Sequence, residues 1–210
     1  MTRQKIPAAP SIRRLPSYLH IIRQAEAEGD EFISGTLIAN ELHLEPIQVR
    51  KDLAITGIVG KPKRGYPVLP LIAAIEHFLA WDSKKNAVII GAGNLATALT
   101  GYQQFQAHGL NFVGAFDTSD DKIGKSIHGV PVFHIDTLKE QTKKLRATIA
   151  VLTVPSESAQ VSADRVVEAG IKAIWNFTNR KLKLPDDVVC QREDLTSGYA
   201  MLCVMMGEQQ

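Results

Sequence analysis

Ala87-Val88-Ile89-Ile90-Gly91-Ala92-Gly93-Asn94-Leu95-Ala96 is a short apolar run that breaks at G-x-G-x-x-A and continues into Thr97-Ala98-Leu99. It reads as a buried strand, a tight turn and the start of a helix, the opening unit of a dinucleotide fold. The first glycine permits the turn, the second lets the backbone approach a pyrophosphate, and the small third residue lets the helix pack closely on the strand. Backbone N–H groups at the helix start then face the phosphates. A second apolar run, Phe112-Val113-Gly114-Ala115-Phe116, ends in Asp117, 21 residues after Ala96. That is the place of an acid that binds the adenosine ribose hydroxyls. Asp117 therefore favours NAD(H) over NADP(H), with Lys122 and Lys125 nearby acting against that preference. The candidate cofactor residues from the loop are Gly91, Ala92, Gly93, Asn94, Leu95 and Ala96, together with Asp117.

Working outward, Thr148 to Pro155 reads as a buried parallel strand whose end, Thr153-Val154-Pro155, falls on the ligand edge of such a sheet. Asn176 holds the same position on the strand Lys172 to Phe177. Tyr102, just past the first helix, either lies near the nicotinamide end or packs as a core aromatic. Val130-Pro131-Val132 reads as a strand, and Leu138 to Leu145 and Ser158 to Ala169 as helices. The closing stretch, Leu195 to Met206, is apolar almost all round, and a helix of that kind needs cover on both sides. A second subunit would supply it.

Upstream, residues 1–12 read as an arm and Pro16 to Ala27 as a helix with Leu15, Leu19 and Ile22 on one stripe. Ser34 caps a short helix through Leu42, and Pro46 opens another whose Val49 and Leu53 face inward while Gln48, Arg50 and Lys51 face out. Two short helices joined by a tight turn form a helix-turn-helix, the second entering the major groove. Arg50 and Lys51 suit guanine edges or phosphates, and Gln48 suits adenine. Ile58 to Pro67 reads as a hairpin wing whose Lys61, Lys63 and Arg64 reach phosphates or the minor groove. Arg14, of the basic pair Arg13-Arg14, and Tyr66 in the wing complete the candidate DNA-contacting set.

The 210 residues, 45% apolar and 22% charged, belong to an ordinary globular protein with a net charge of only +2, which excludes a polycation. Residues 1–67 nevertheless hold ten Lys/Arg against seven Asp/Glu, and four of those acids crowd between Glu26 and Glu31. Cys190 and Cys203 have neither disulfide nor metal-ligand spacing and read as buried apolar residues; no metal is expected. With no signal peptide and no membrane span in the pattern, a cytoplasmic protein is expected. The expected architecture is α/β: a winged helix over 1–82, a Rossmann-type parallel sheet over 83–190, and a dimerisation helix over 191–210 exchanged across a dimer.

This order of parts resembles the Rex family of redox-sensing bacterial repressors. The resemblance rests on Arg14-Leu15 with Tyr18-Leu19, Gln48-Val49-Arg50-Lys51-Asp52-Leu53, Gly65-Tyr66, the 91–95 loop, Ile123-Gly124-Lys125, Gly129-Val130-Pro131-Val132, Thr153-Val154-Pro155 and Glu168-Ala169-Gly170. It covers nearly the whole chain and departs at Ile55-Thr56, at Pro62-Lys63-Arg64 in the wing, at Ala96 and at His20. It implies a homodimer that binds a palindromic operator when NAD⁺ dominates and releases it as NADH rises, with Tyr102 and Asp194 near the nicotinamide-dependent switch. A relative with altered ligand or DNA response is the alternative within the family. An oxidoreductase would need a proton donor at a strand end, and His108, His128 and His134 sit at no expected one. A coenzyme A-binding module would leave the N-terminal helices and wing without a purpose.

Overall fold

A buried stripe of Leu15, Tyr18, Leu19, Ile22 and Ala25 organises α1 (Ala9–Glu28), the first element of the computed structural model, which describes residues 9–207. The helix starts well before Pro16 and runs through it, so the arm expected over 1–12 is helical from Ala9; residues 1–8 lie outside the described residues. Pro16 is exposed, and the backbone bond it deletes is therefore lost where water replaces it. Gly29, at φ +86°, ends the helix.

After β1 (Phe32–Ile33), Ser34 caps α2 (Gly35–Glu41) by accepting from Leu37 N–H at 3.0 Å. A four-residue turn leads to α3 (Pro46–Ala54), which has Pro46 in its first turn and buries Val49, Asp52 and Leu53. The wing is a tight turn closed by one bridge, Lys61 to Gly65, and not a hairpin of its own. Its outgoing strand β2 (Tyr66–Pro67) pairs antiparallel with β1 and leads into α4 (Val68–Phe78). The reason is steric: a Cβ on Gly65 would lie 2.3 Å from the Ile33 carbonyl, so β1 runs against the glycine. These elements share one core and form a unit, Met1–Ser83.

The second unit, Lys84–Gln210, is built on a sheet. In order come β3 (Lys85–Ile90), α5 (Asn94–Gly101), α6 (Gln103–Ala107), β4 (Leu110–Asp117), β5 (Ser126–Ile127), β6 (Val130–His134), α7 (Leu138–Leu145), β7 (Ile149–Leu152), α8 (Ala159–Glu168), β8 (Ala173–Asn176), β9 (Val189–Arg192) and α9 (Thr196–Gly207). The strand order is β5-β6-β4-β3-β7-β8-β9, parallel throughout except for β5 against β6. Leaving out β5, that is the 3-2-1-4-5-6 order of a dinucleotide fold, and the order reverses beside β3. Alternation along the strands divides the core: Val88 and Ile90 pack with Leu138, Ala163 and Val166 on one face, while Ile89 packs with Ala96 and Val151 on the other.

Two expectations of burial fail, one at the sheet's edge and one on the last helix. Cys190 is exposed because β9 is the last strand and is exposed along its whole length. Cys203 is exposed because nothing among the described residues covers α9, of which no residue is buried.

Candidate dinucleotide site and nucleic-acid interface

Where the strand order reverses, the ends of β3, β4 and β7 enclose a cleft of about 680 Å³ lined by Gly91, Gly93, Asp117 and Thr153-Val154-Pro155 among others. The glycine turn is held from both sides. Gly91 N–H donates to the Phe116 carbonyl at 2.8 Å, and the Thr153 hydroxyl donates to the carbonyls of Ile90 (3.0 Å) and Gly91 (2.8 Å). The two loop glycines answer to different demands. Gly91 adopts φ +96°, and a Cβ there would stand 2.9 Å from Val154 Cγ1. Gly93 has an ordinary φ, and a Cβ there would meet no protein atom within 4 Å. Its bareness serves no internal packing, and it faces the cleft: the room is what a pyrophosphate would fill.

Asn94 and Leu95 begin α5, whose first N–H groups have no partner within the helix, and buried Ala96 seats the helix on the sheet. The Ala92 N–H is already committed. It donates to Asp117 Oδ2 at 2.7 Å, so Ala92 shapes the loop and does not offer a phosphate donor. Asp117 also accepts from Ser119 N–H (3.0 Å, on Oδ1) and Lys122 Nζ (3.1 Å, on Oδ2). Partial burial pushes its carboxyl up, but the bonds from Lys122, Ala92 and Ser119 outweigh that and hold it below the usual carboxylate range.

Outside the glycine loop and the start of α5, three expected cofactor residues do not line this cleft. Tyr102 is exposed between α5 and α6, hydrogen-bonded to Gln104 and edge-on to Phe105, at a separate hollow of about 260 Å³. Asn176 is buried and spends its amide on Thr178 and the Arg180 carbonyl, which fixes the loop after β8. Asp194 caps α9 through the Thr196 N–H at 2.9 Å. His134 does end β6, two residues beyond the expected strand, but its Nδ1 accepts from Asp136 N–H and it does not line the cleft.

In the N-terminal unit, the exposed side of α3 carries Ile47, Arg50 and Lys51. Arg50 Nε donates to the Pro46 carbonyl at 3.3 Å, which lays its guanidinium along the helix start. Ile47, 60% exposed beside these cations, was not among the expected contacts; an apolar residue off the Val49–Leu53 stripe is the signal that marks it. Gln48 and Arg14 have other work. Both bind Asp52, Gln48 to Oδ1 at 2.8 Å and Arg14 to Oδ2 at 2.6 Å and Oδ1 at 3.0 Å, and the Tyr18 hydroxyl adds a bond of 2.6 Å. Burial raises the Asp52 carboxyl, but Arg14, Tyr18 and weaker donors bring it down to about 2. Burial and the neighbouring Asp52 push the Tyr18 hydroxyl up to about 12. Tyr66 is a core residue, 8% exposed, rather than a wing contact. In the wing, Arg64 and Lys61 sit over the Phe32 ring at 4.1 and 5.3 Å, and Lys63, at φ +62°, marks the exposed tip.

Residues 82–180 match the family model described as "CoA binding domain", and residues 5–54 match "Putative DNA-binding protein N-terminus". The redox-sensing transcriptional repressor Rex of Treponema denticola is 63% identical over 206 residues, 98% of each chain. The chain belongs to the Rex family. The Rex of Bacteroides fragilis is 38% identical, covering 96% of this chain and 90% of that one. Two crystal structures of RSP, a Rex-family repressor, superpose over nearly the whole length. The complex with β-NAD⁺ and operator DNA has a TM-score of 0.89 at 33% identity, covering 98% of this chain and 95% of that one. The complex with β-NADH has a TM-score of 0.88 at 32% identity, covering 98% and 97%. Among the described residues, no helix is long and apolar enough to cross a membrane.

Proposed function

We propose that this member of the Rex family is a cytoplasmic repressor that holds palindromic operator DNA as a homodimer while NAD⁺ dominates and lets it go when NADH binds. The observation that carries this reading is the open space at Gly93, in a cleft whose acid is already set, on the same chain as a helix-turn-helix with Arg50 and Lys51 turned outward. Gly91, Gly93, Asn94 and Leu95 would hold the diphosphate, Asp117 the adenosine ribose, and Thr153, Val154 and Pro155 the far wall. Residues 1–82 would read DNA, 83–190 bind the nucleotide, and 191–210 join the subunits.

The bound nicotinamide supplies a ring that is cationic when oxidised and neutral when reduced, and no reaction is asked of the protein. The ligand acts through its different affinities for the DNA-competent and DNA-released states, and DNA must alter NADH affinity by the same factor. The test starts with a duplex selected from a random library by the protein with NAD⁺, followed by anisotropy titrations with each nicotinamide form. NADH is expected to weaken binding and NAD⁺ to leave it intact; indifference to NADH overturns the sensor reading. Turnover of NADH with small carbonyl compounds would overturn it in favour of an oxidoreductase, and displacement of NADH by coenzyme A would show a wider ligand range.

A further inference from the structure

The wing carries Lys61, Lys63 and Arg64 on a turn too short to fix long side chains by itself, and two of the three are held from outside it. The backbone is set first. Lys61 N–H donates to the Gly65 carbonyl at 2.7 Å, and the Lys61 carbonyl accepts from the N–H groups of Arg64 and Gly65 at 3.2 and 3.0 Å. Gly60 lies against the Tyr66 ring, where a Cβ would stand 3.2 Å from Cε1, so the root of the wing is packed as well. Phe32, the half-buried residue of β1, then takes the side chains on either side of the tip. Its ring centroid is 4.1 Å from Arg64 Cζ and 5.3 Å from Lys61 Nζ. We propose that Phe32 is a positioning residue for DNA: its ring holds the Arg64 guanidinium and the Lys61 ammonium as a preformed pair of donors to the phosphate backbone. The inference rests on the DNA-binding reading above and adds to it a residue that acts through two others.

Three observations carry it. First, the ring costs the cations none of their donors. A π face attracts the charge and leaves the N–H groups free, and neither side chain makes a hydrogen bond among the described residues. Second, the acid beside them competes weakly. Glu31 Oε2 stands 3.9 Å from Arg64 Nη2, beyond hydrogen-bond reach, and is 84% exposed, so water screens the pair and a phosphate can take its place. Third, the ring is anchored independently of the turn. β1 pairs with β2, Phe32 standing opposite Pro67, so the ladder that ends the wing also sets the ring beside it. The physical gain is one of order. A long cation recruited from solution gives up its rotamer freedom when it meets a phosphate, whereas one already resting on a ring has given up part of it in the free protein. Lys63, at the tip, has no such restraint among the described residues.

The experiment uses full-length protein with NAD⁺ and the duplex it selects, and reads anisotropy over a salt series. Phe32→Leu keeps an apolar side chain and removes the π face. It is expected to weaken binding about fivefold, the scale of an exposed cation–π contact. The slope of log affinity against log salt is expected to stay as in wild type, because both charges remain. Phe32→Tyr keeps the ring and is expected to restore wild-type affinity. The deciding comparison is a cycle: with Lys61 and Arg64 both replaced by Met, Phe32→Leu is expected to cost no further affinity. Thermal midpoints are followed throughout, and if Phe32→Leu does not fold, Phe32→Met takes its place in the same cycle. A Phe32→Leu protein that binds like wild type, a Phe32→Tyr protein as weak as Phe32→Leu, or a penalty that persists in the Met background overturns the assignment and leaves the DNA-binding reading in place. Wild type that selects no duplex overturns that reading itself.

Discussion

Two glycines two residues apart separate what the fold requires from what a ligand requires. Gly91→Ala places a Cβ against Val154 at a backbone angle that L residues avoid, and it should cost about 2 kcal/mol of stability, read as a lower urea midpoint. Gly93→Ala meets nothing and should leave the midpoint within about 0.5 kcal/mol of wild type. It should nonetheless weaken NADH binding severely in a fluorescence titration, because the methyl occupies the diphosphate's place. Asp52 makes a second residue-level case. Replacing it with Asn leaves Arg14 and Tyr18 without their anion and should cost about 3 kcal/mol at pH 7. Because the native carboxyl titrates near pH 2, below its ordinary value of 3.8, its contribution is complete above pH 4. It disappears as the pH falls through 2, a loss of about 2 kcal/mol. Wild type and Asp52→Asn should therefore converge in stability on acidification; a gap that stays constant with pH would show that the Asp52 charge is not what stabilises the unit.

At the level of elements, α3 exposes two cations that make no ion pair among the described residues, Arg50 and Lys51. Replacing both with Ala should leave the thermal midpoint unchanged and reduce the slope of log affinity against log salt by about two. Arg14→Ala should instead lower stability along with DNA affinity, because its guanidinium belongs to Asp52. This difference marks what could be read from the chain alone. Strand, glycine turn, helix and acid from Ala87 to Asp117 are encoded by neighbours in sequence, and their pattern was legible. So were the Ser34 cap and Pro46 at the start of α3. The fates of Arg14, Gln48, Tyr66 and Asn176 were not. Each looks like an available polar or aromatic group until a partner shows otherwise, and for Arg14 that partner is 38 positions away. Pattern gave the acid Asp117 but not its bond to Ala92, 25 residues earlier, which only the parallel pairing of β3 with β4 creates.

For the whole molecule, α9 is the outlying fact: Tyr199, Met201, Leu202, Val204, Met205 and Met206 are each more than half exposed. An apolar helix of this kind is covered in solution, and the proposed dimer supplies the cover. Leu202→Glu with Met205→Glu should turn the sedimentation profile from dimer to monomer and abolish binding to a two-half-site duplex while sparing the folded Lys84–Gln210 sheet by circular dichroism. A double variant that still sediments as a dimer would place the subunit contact elsewhere. The knot at Asp52 also matters mechanically. Through Arg14 and Tyr18 it bolts the 20-residue α1 to α3 in two places. Two neighbouring anchor points fix direction as well as distance, so α1 and α3 are expected to move as a single rigid body, and a spin label on either should report the same tumbling.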